Sequence, residues 1–316
     1  YGNQLFKIAE NYNVLLLFEA AVAGGIPIIK LIKHSVFLNK IIRISGIFNG
    51  TTNFILSEME NKELSFQEVL QDAQKNGYAE TDSTNDIEGI DSAHKLSLLS
   101  ALCFGSKINL DNITYRGISN IDIEDIKNAA KLGYKIKLIS ESKITDNKLI
   151  SVVEPKLIRK ENHLANVHGV LNAVKIETDH LNPLILEGEG AGGRATASSI
   201  ISDLYEIAQD IGTPPLGYST SQLIDYEILD LSNMLSSYYL RILAKDISGV
   251  LAKITSNLNE EGISIETILQ IPDNKTSDNY IPIIIVTHET TKNSLMKALT
   301  KIEKLDFVLT KVNVIT

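Results

Sequence analysis

The sequence lacks several features that secreted, membrane-spanning and nucleic-acid-binding proteins use. Its 316 residues include one cysteine, Cys103, which excludes an internal disulfide and is consistent with a cytoplasmic protein. Wholly apolar runs, such as IIIV at 283–286, are far too short to span a bilayer. The formal net charge of −9 argues against nucleic acid and anionic membranes, because both are held by positive charge.

Common catalytic motifs and targeting signals are also missing. No G-x-S-x-G or phosphate-binding loop is present, and the six histidines have no metal-ligand spacing. The opening YGNQLFKIAENYN has no methionine and no signal-peptide pattern, and it resembles the end of a helix. We therefore expect a fragment whose true N-terminus is absent.

The first two thirds of the chain alternate between strand and helix patterns. Apolar runs predict strands at 14–22 and 40–48. A turn then leads into a helix, for which Thr51 or Thr52 is the expected N-cap. The next helix, 65–77, opens with a capping box and stops at a glycine. These patterns predict an α/β or α+β protein.

The last third has a pattern of its own. Prolines, glycines and hydroxyl residues predict a linker at 213–235. Residues 236–316 then read strand, helix, strand, strand, helix, strand. This order is the ferredoxin-like βαββαβ plan, a complete small domain.

A glycine-rich turn follows an apolar run near residue 187. Gly188, Gly190 and Gly193 read G-x-G-x-x-G, but the helix after them runs into a linker, with no second strand. The turn is therefore not the start of a Rossmann domain. Two interpretations stay open: a tight turn that needs small residues, or a helix N-terminus whose amides face an anionic part of a cofactor.

An acidic loop, GYAETDSTNDIEGIDSAHKL at 77–96, is the sharper candidate. Asp91 and Lys95 stand four residues apart and share a helix face. One interpretation is a solvated loop with a surface ion pair. The other is a cleft in which carboxylates hold a small amphoteric substrate and Lys95 exchanges a proton with it. The carboxylates of the loop are Glu80, Asp82, Asp86, Glu88 and Asp91.

A third candidate is Glu19, at the end of the first apolar run. An unpaired carboxylate there would be costly to bury. It either accepts hydrogen bonds from nearby backbone amides or joins backbone carbonyls around a hard cation.

Five segments of the first 210 residues resemble homoserine dehydrogenases in order and spacing. They are FEAAVAGGIPII, GIFNGTTNFIL, GYAETDSTNDIEGIDSAHKL, LANVHGVLNAV and GEGAGG. The tail, with LAKDISGVLAKITSNLNEEGISI, resembles an ACT domain, an amino-acid-sensing module. The resemblance implies a Rossmann remnant at 1–23 completed by 188–212, a mixed-sheet catalytic and dimerisation domain at 24–187, the linker at 213–235 and the ACT domain at 236–316.

The same resemblance implies an activity. The family interconverts L-homoserine and L-aspartate 4-semialdehyde with NADP or NAD, in threonine, methionine and isoleucine biosynthesis. It implies a homodimer or higher homo-oligomer and feedback by threonine. The fragment expectation adds that the chain alone is inactive. The alternative from another class is a non-catalytic amino-acid sensor that uses only the ACT domain.

Residue roles also follow from the resemblance. Lys95 would be the acid/base residue, Glu80 and Asp91 would bind the substrate, and Gly77 would face the nicotinamide. The remaining assignments are Tyr78, Asp86 and Thr51 lining the pocket, Gly190 and Gly192 at the cofactor, Glu19 with the carbonyls of Val22, Gly24 and Ile26 at a sodium-like ion, and Asp246 and Gly249 at the effector.

Overall fold

The structure is a computed structural model with two compact units, residues 1–229 and 230–316. The expected linker is divided, since 213–229 belongs to the first unit. Within the described residues, no helix combines the length and the apolar character that crossing a bilayer requires. The structure describes residues 1–36, 38–209, 211–270 and 280–316.

A mixed sheet organises the first unit. Its strands are β1 (Ile41–Ile47), β2 (Thr114–Tyr115), β3 (Tyr134–Thr145), β4 (Lys148–Arg159), β5 (Leu171–Thr178) and β6 (Leu184–Glu189). Across the described ranges they lie in the order β2-β4-β3-β1-β5-β6. Strand β2 is parallel to β4 and the other pairs are antiparallel, which confirms the mixed sheet.

Helices pack on this sheet, and three of the described helices begin at identifiable capping signals. The capping box of the helix Phe66–Lys75 is formed by Ser65 and Glu68, as predicted. The cap of the helix Gly50–Lys62 is Asn49, whose side chain accepts from the Thr52 amide, so the expectation of Thr51 or Thr52 was wrong. The helices are α1 (Gly2–Asn11), α2 (Ile28–Lys30, continued as a π-helix over Leu31–Val36), α3 (Gly50–Lys62), α4 (Phe66–Lys75), α5 (Thr84–Ile87), α6 (Ile90–Phe104), α7 (Ile123–Lys131) and α8 (Gly193–Ala208).

The predicted strand at 14–22 does not form. Residues 14–18 have no regular structure, and Glu19–Ala21 is a short 3-10 helix. A strand needs a neighbour for its backbone hydrogen bonds, and the described residues place none beside this run. Val14 is exposed, so the run is not a buried strand.

The second unit confirms the βαββαβ plan. The elements are β7 (Leu235–Ser236), β8 (Tyr239–Lys245), α9 (Val250–Glu260), β9 (Ile265–Gln270), β10 (Tyr280–Thr287), β11 (Thr290–Thr291), α10 (Lys292–Ile302) and β12 (Asn313–Ile315). The main sheet has the order β12-β8-β10-β9 within the described residues, with one apolar core between sheet and helices. Residues 271–279, which start at the last residue of the predicted second strand and end before the predicted third strand, lie outside the described residues.

Candidate active site

Lys95 is the centre of a hydrogen-bonded cluster on the first turns of α6. Its Nζ donates to Asp91 Oδ2 at 2.7 Å and to the Phe48 carbonyl at 2.9 Å. Helix α6 is largely buried, and the Asp91 side chain in this charged turn is 30% exposed. The side chain of Lys95 is 20% exposed, which leaves it reachable by a small molecule.

Asn49 joins two carboxylates of the acidic loop. Its Nδ2 donates to Asp86 Oδ1 at 2.6 Å and to Asp91 Oδ2 at 2.8 Å. Its Oδ1 accepts from the Thr52 amide, so all its strong bonding groups are engaged. The sequence reasoning assigned Asn49 no role, although an asparagine directly before a helix is a recognisable cap signal. We call Asn49, Asp86, Asp91 and Lys95 the carboxylate–lysine cluster.

Burial in this cluster changes the acidity of Asp86. Desolvation raises the pKa of Asp86 above its usual range, and the nearby Asp91 charge raises it further. The hydrogen bond from Asn49 and the charge of Lys95 oppose that shift without cancelling it. Perturbed carboxylates of this kind are concentrated at functional sites.

The other predicted substrate residues lie around the start of α3. Thr51 Oγ1 donates to the Tyr78 carbonyl at 2.7 Å, and the Tyr78 ring packs on Phe54 with centroids 4.8 Å apart. Glu80 is exposed, and its charge acts on Asp86. Gly77 has φ +74 with no described atom within 4 Å of a Cβ placed there. The structure therefore brings these residues together near the start of α3, with Glu80 and Gly77 exposed at the rim of the group.

The glycine-rich turn packs against a second glycine turn. A Cβ on Gly24 would overlap the Gly190 carbonyl, and the Gly25 amide donates to the Glu189 carbonyl at 2.9 Å. On the other side, no described atom lies within 4 Å of a Cβ on Gly192 or Gly193. Helix α8 starts there without a side-chain cap, so its first amides are free to meet an anion.

Glu19 is held by backbone amides. Its carboxylate oxygens accept from Ile29 N at 2.8 Å and Lys30 N at 2.9 Å, while Ser199 Oγ donates to the Gly24 carbonyl at 2.7 Å. Burial raises the pKa of Glu19, although these two amide bonds oppose the shift. No group of three or more His, Cys, Asp or Glu side chains suited to a metal occurs in the described ranges.

In the second unit, the predicted effector turn is exposed. Gly249 has φ +89 and precedes α9, which has no side-chain cap. Asp246 is exposed at the start of the same turn. The turn offers a carboxylate and free amides, the groups that bind an amino acid's ammonium and carboxylate.

Known proteins share both units. A homoserine dehydrogenase family profile matches residues 27–205, and an ACT domain profile matches 238–304. The homoserine dehydrogenase of Neisseria gonorrhoeae is 43% identical over 316 residues, 98% of this chain and 72% of that protein. The chain belongs to the homoserine dehydrogenase family.

Solved homoserine dehydrogenases extend the match to the fold. The crystal structure from Thiobacillus denitrificans superposes with a TM-score of 0.91 at 42% identity, covering all of this chain and 73% of that one. A hyperthermophilic archaeal homoserine dehydrogenase in complex with NADPH has a TM-score of 0.58 at 28% identity, covering 66% of this chain and 60% of that one.

Proposed function

We propose that the chain carries the catalytic machinery for NAD(P)-dependent interconversion of L-homoserine and L-aspartate 4-semialdehyde, within threonine, methionine and isoleucine biosynthesis. The observation that carries the proposal is the carboxylate–lysine cluster, which lies inside the family match. A reactive oxygen and a charged amino acid backbone are the two features of this substrate. The cluster offers a proton-exchanging amine for the first and carboxylates for the second.

Lys95 is proposed to exchange the proton at the reacting oxygen. An ammonium has three donors, and within the described residues Asp91 and Phe48 take two of them. The third can reach the substrate oxygen. In the reductive direction Lys95 gives a proton to the carbonyl oxygen as hydride reaches the carbon. In the oxidative direction neutral Lys95 takes the hydroxyl proton as hydride leaves.

Substrate binding is assigned to the surrounding polar groups. Asp91 is fixed by Lys95 and Asn49, so its remaining lone pairs are oriented before substrate arrives. Glu80 at the rim binds the ammonium group, and Asp86, Thr51 and Tyr78 line the pocket. This arrangement selects a small amphoteric molecule rather than a neutral alcohol.

The glycine turn fits a dinucleotide. The open side at Gly192 and Gly193 and the uncapped start of α8 suit an anionic diphosphate, while any side chain on Gly190 would collide with its neighbours. Gly77, with open space above its Cα, admits the flat nicotinamide ring. Bound NAD or NADP supplies the hydride acceptor or donor.

A sodium-like ion is proposed at Glu19 and the carbonyls of Val22, Gly24 and Ile26. The groups already bonded there keep further lone pairs, since a carboxylate oxygen accepts more than one bond. A higher Tm in sodium chloride than in choline chloride at equal ionic strength would support the site. Equal Tm values in the two salts, together with no change of the Tm in the Glu19→Gln variant in either salt, would contradict it.

Regulation is assigned to the second unit. We place threonine at the turn holding Asp246 and Gly249, and we place the whole assembly as a cytoplasmic homodimer or higher homo-oligomer. Loss of threonine inhibition in Asp246→Ala, with uninhibited turnover unchanged, is the expected result. Inhibition that survives this substitution would move the effector elsewhere.

Homoserine-dependent reduction of NADP and of NAD, followed by absorbance, tests the activity. The chain is assayed as it stands and fused to the segment of the Neisseria relative that lies outside the match. Turnover that needs homoserine supports the proposal. Threonine binding without turnover or cofactor binding in either form would contradict it and favour an amino-acid sensor.

A further inference from the structure

A buried amide lies directly beneath the glycine turn. Asn172 on β5 is 1% exposed, and neither its Oδ1 nor its Nδ2 has a hydrogen-bond partner within the described part of the chain. Both atoms would bond to water in the unfolded chain, so leaving them unpaired costs stability. A polar group kept at such a cost is a candidate for a function that the unliganded state does not use.

The amide is in direct contact with the turn. Asn172 pairs in register with Gly188, and its side chain extends toward Gly190. A Cβ on Gly190 would overlap the Asn172 amide, and the Gly190 carbonyl abuts Gly24 on the other side. The Gly190 peptide is therefore held between the Asn172 amide and the Gly24 backbone, whereas Gly192 and Gly193 are open.

The strand that carries Asn172 has a firm base. Asn53 Nδ2 donates to the carbonyls of Val167, Gly169 and Leu171 at 3.0–3.2 Å. Lys137 Nζ, itself buried, donates to Asn53 Oδ1 at 2.9 Å. Asn53 lies on α3, the helix whose first turn borders the carboxylate–lysine cluster. The start of the strand that carries Asn172 is thus anchored, whereas the side of the glycine turn at Gly192 and Gly193 is open.

We propose that Asn172 is a positioning residue for the glycine turn: its amide forms hydrogen bonds with peptide groups of residues 190–193 when a dinucleotide occupies the open side, and so holds the turn closed. The inference rests on the proposed function for the identity of the ligand. It deepens that function by placing the support of the turn on a strand that is tied to the substrate side.

Asn172→Leu tests this with a side chain of similar shape and no polar atoms. Because it removes two unpaired groups, the Tm is expected to equal or exceed that of the unaltered protein. The Kd for NADP, measured by titration calorimetry, is expected to rise about tenfold, the effect of losing one good hydrogen bond. Hydrogen exchange at 190–194 should slow on NADP addition in the unaltered protein and much less in the variant.

A second pair of variants separates contact from ligand support. Gly190→Ala is expected to lower the Tm, because its methyl group meets the Asn172 amide. Adding Asn172→Ala makes room and should restore the Tm but not the Kd. Ser106→Ala is the control: the Ser106 hydroxyl, beyond the far end of α6, is also buried without a hydrogen-bond partner among the described residues, and its loss should leave NADP binding unchanged.

The outcomes are distinguishable. A lower Tm with unchanged Kd in Asn172→Leu would overturn the inference and leave the proposed function standing. Restoration of both Tm and Kd in the double variant would overturn it in the same way. Absence of NADP binding by the unaltered protein, both as it stands and in the Neisseria fusion, would overturn the inference together with the proposed function.

Discussion

Two charged regions of the first unit shift the pKa of a buried or partly buried carboxylate in opposite directions. In the carboxylate–lysine cluster, burial and the Asp91 charge raise the pKa of Asp86. On the sheet, Glu141 is surrounded by Arg43, Lys143 and Lys156 at 2.7–3.3 Å. Burial alone would raise the pKa of Glu141, but those three cations overcome it and hold the pKa at about 2.

The difference separates stability from function. Glu141 has three cationic partners, so its charge is stabilised and the network ties β1, β3 and β4 together. Asp86 has an amide, a neighbouring anion and one lysine, so part of its charge is left without compensation. A ligand's ammonium group would supply what is missing. The carboxylate–lysine cluster, in which the carboxylate charge is less completely compensated, is therefore the region suited to binding a ligand.

The largest expected effect is on Lys95. Lys95→Ala removes the proposed proton-exchanging group, and kcat should fall by about 10²–10⁴-fold. The matched control is Lys62→Ala, which breaks another i,i+4 ion pair of the same 2.7 Å length on α3. It should leave kcat unchanged. Turnover in Lys95→Ala within a factor of three of the unaltered protein would assign the proton transfer elsewhere.

Next in size is the stability held by Glu141. Because its folded pKa is below the usual 4.5, at about 2, the carboxylate stabilises the fold above pH 4.5 and loses that contribution as the pH falls toward 2. Glu141→Gln should lower the free energy of unfolding at pH 7 by about 3 kcal/mol, with a difference that shrinks in acid.

Urea unfolding between pH 2 and pH 7 measures this difference. Glu227→Gln serves as the control, because the Glu227 side chain is 71% exposed and its ion pair with Lys148 should contribute below about 1 kcal/mol. A Glu141→Gln difference that is constant across the pH range would show that lost packing, rather than charge, is responsible.

Local signals in the sequence predicted the parts of the structure that depend on neighbouring residues. The Asp91–Lys95 pair follows from helical spacing, the capping box of Ser65 from a four-residue motif, and the βαββαβ tail from its periodicity. Each depends on residues close in the chain. Such patterns predicted the main elements and located the acidic loop.

Contacts between distant residues were beyond those signals. Asn49 reaches Asp86 and Asp91 across 37 and 42 positions, and Asn172 meets Gly190 from a neighbouring strand. The run at 14–22 has strand composition, yet strand formation depends on a neighbour that composition does not specify. Long-range pairing, not local preference, decided each of these.

A smaller effect is expected from Asn49. Asn49→Ser keeps a cap oxygen for α3 but cannot donate to both carboxylates. Asp86 and Asp91 would then lose their common donor, and the KM for homoserine should rise about tenfold with little change in the Tm. Asn109→Ser is the control, since Asn109 caps the short 3-10 helix Leu110–Asn112 and accepts a hydrogen bond from the Asp111 amide. An unchanged KM would mean that Asn49 only caps the helix.

The smallest effect is a gain in stability that comes with a functional cost. Since the folded pKa of Asp86 is raised, the folded state binds its proton more tightly than the unfolded state does, and stability falls as the pH rises through that window. Asp86→Asn removes this loss. It should raise the free energy of unfolding at pH 7 by roughly 1 kcal/mol or less, the size of one hydrogen bond, and should bring no gain below pH 3.

Asp82→Asn should instead lower the Tm at pH 7, because a hydrogen bond with Thr84 lowers the pKa of Asp82 and favours its charged form. Thermal unfolding at pH 3 and pH 7, with the KM for homoserine measured at pH 7, checks both variants. If Asp86→Asn destabilised the protein at pH 7, its carboxylate would be as well compensated as that of Glu141, and the contrast between the two regions would fail.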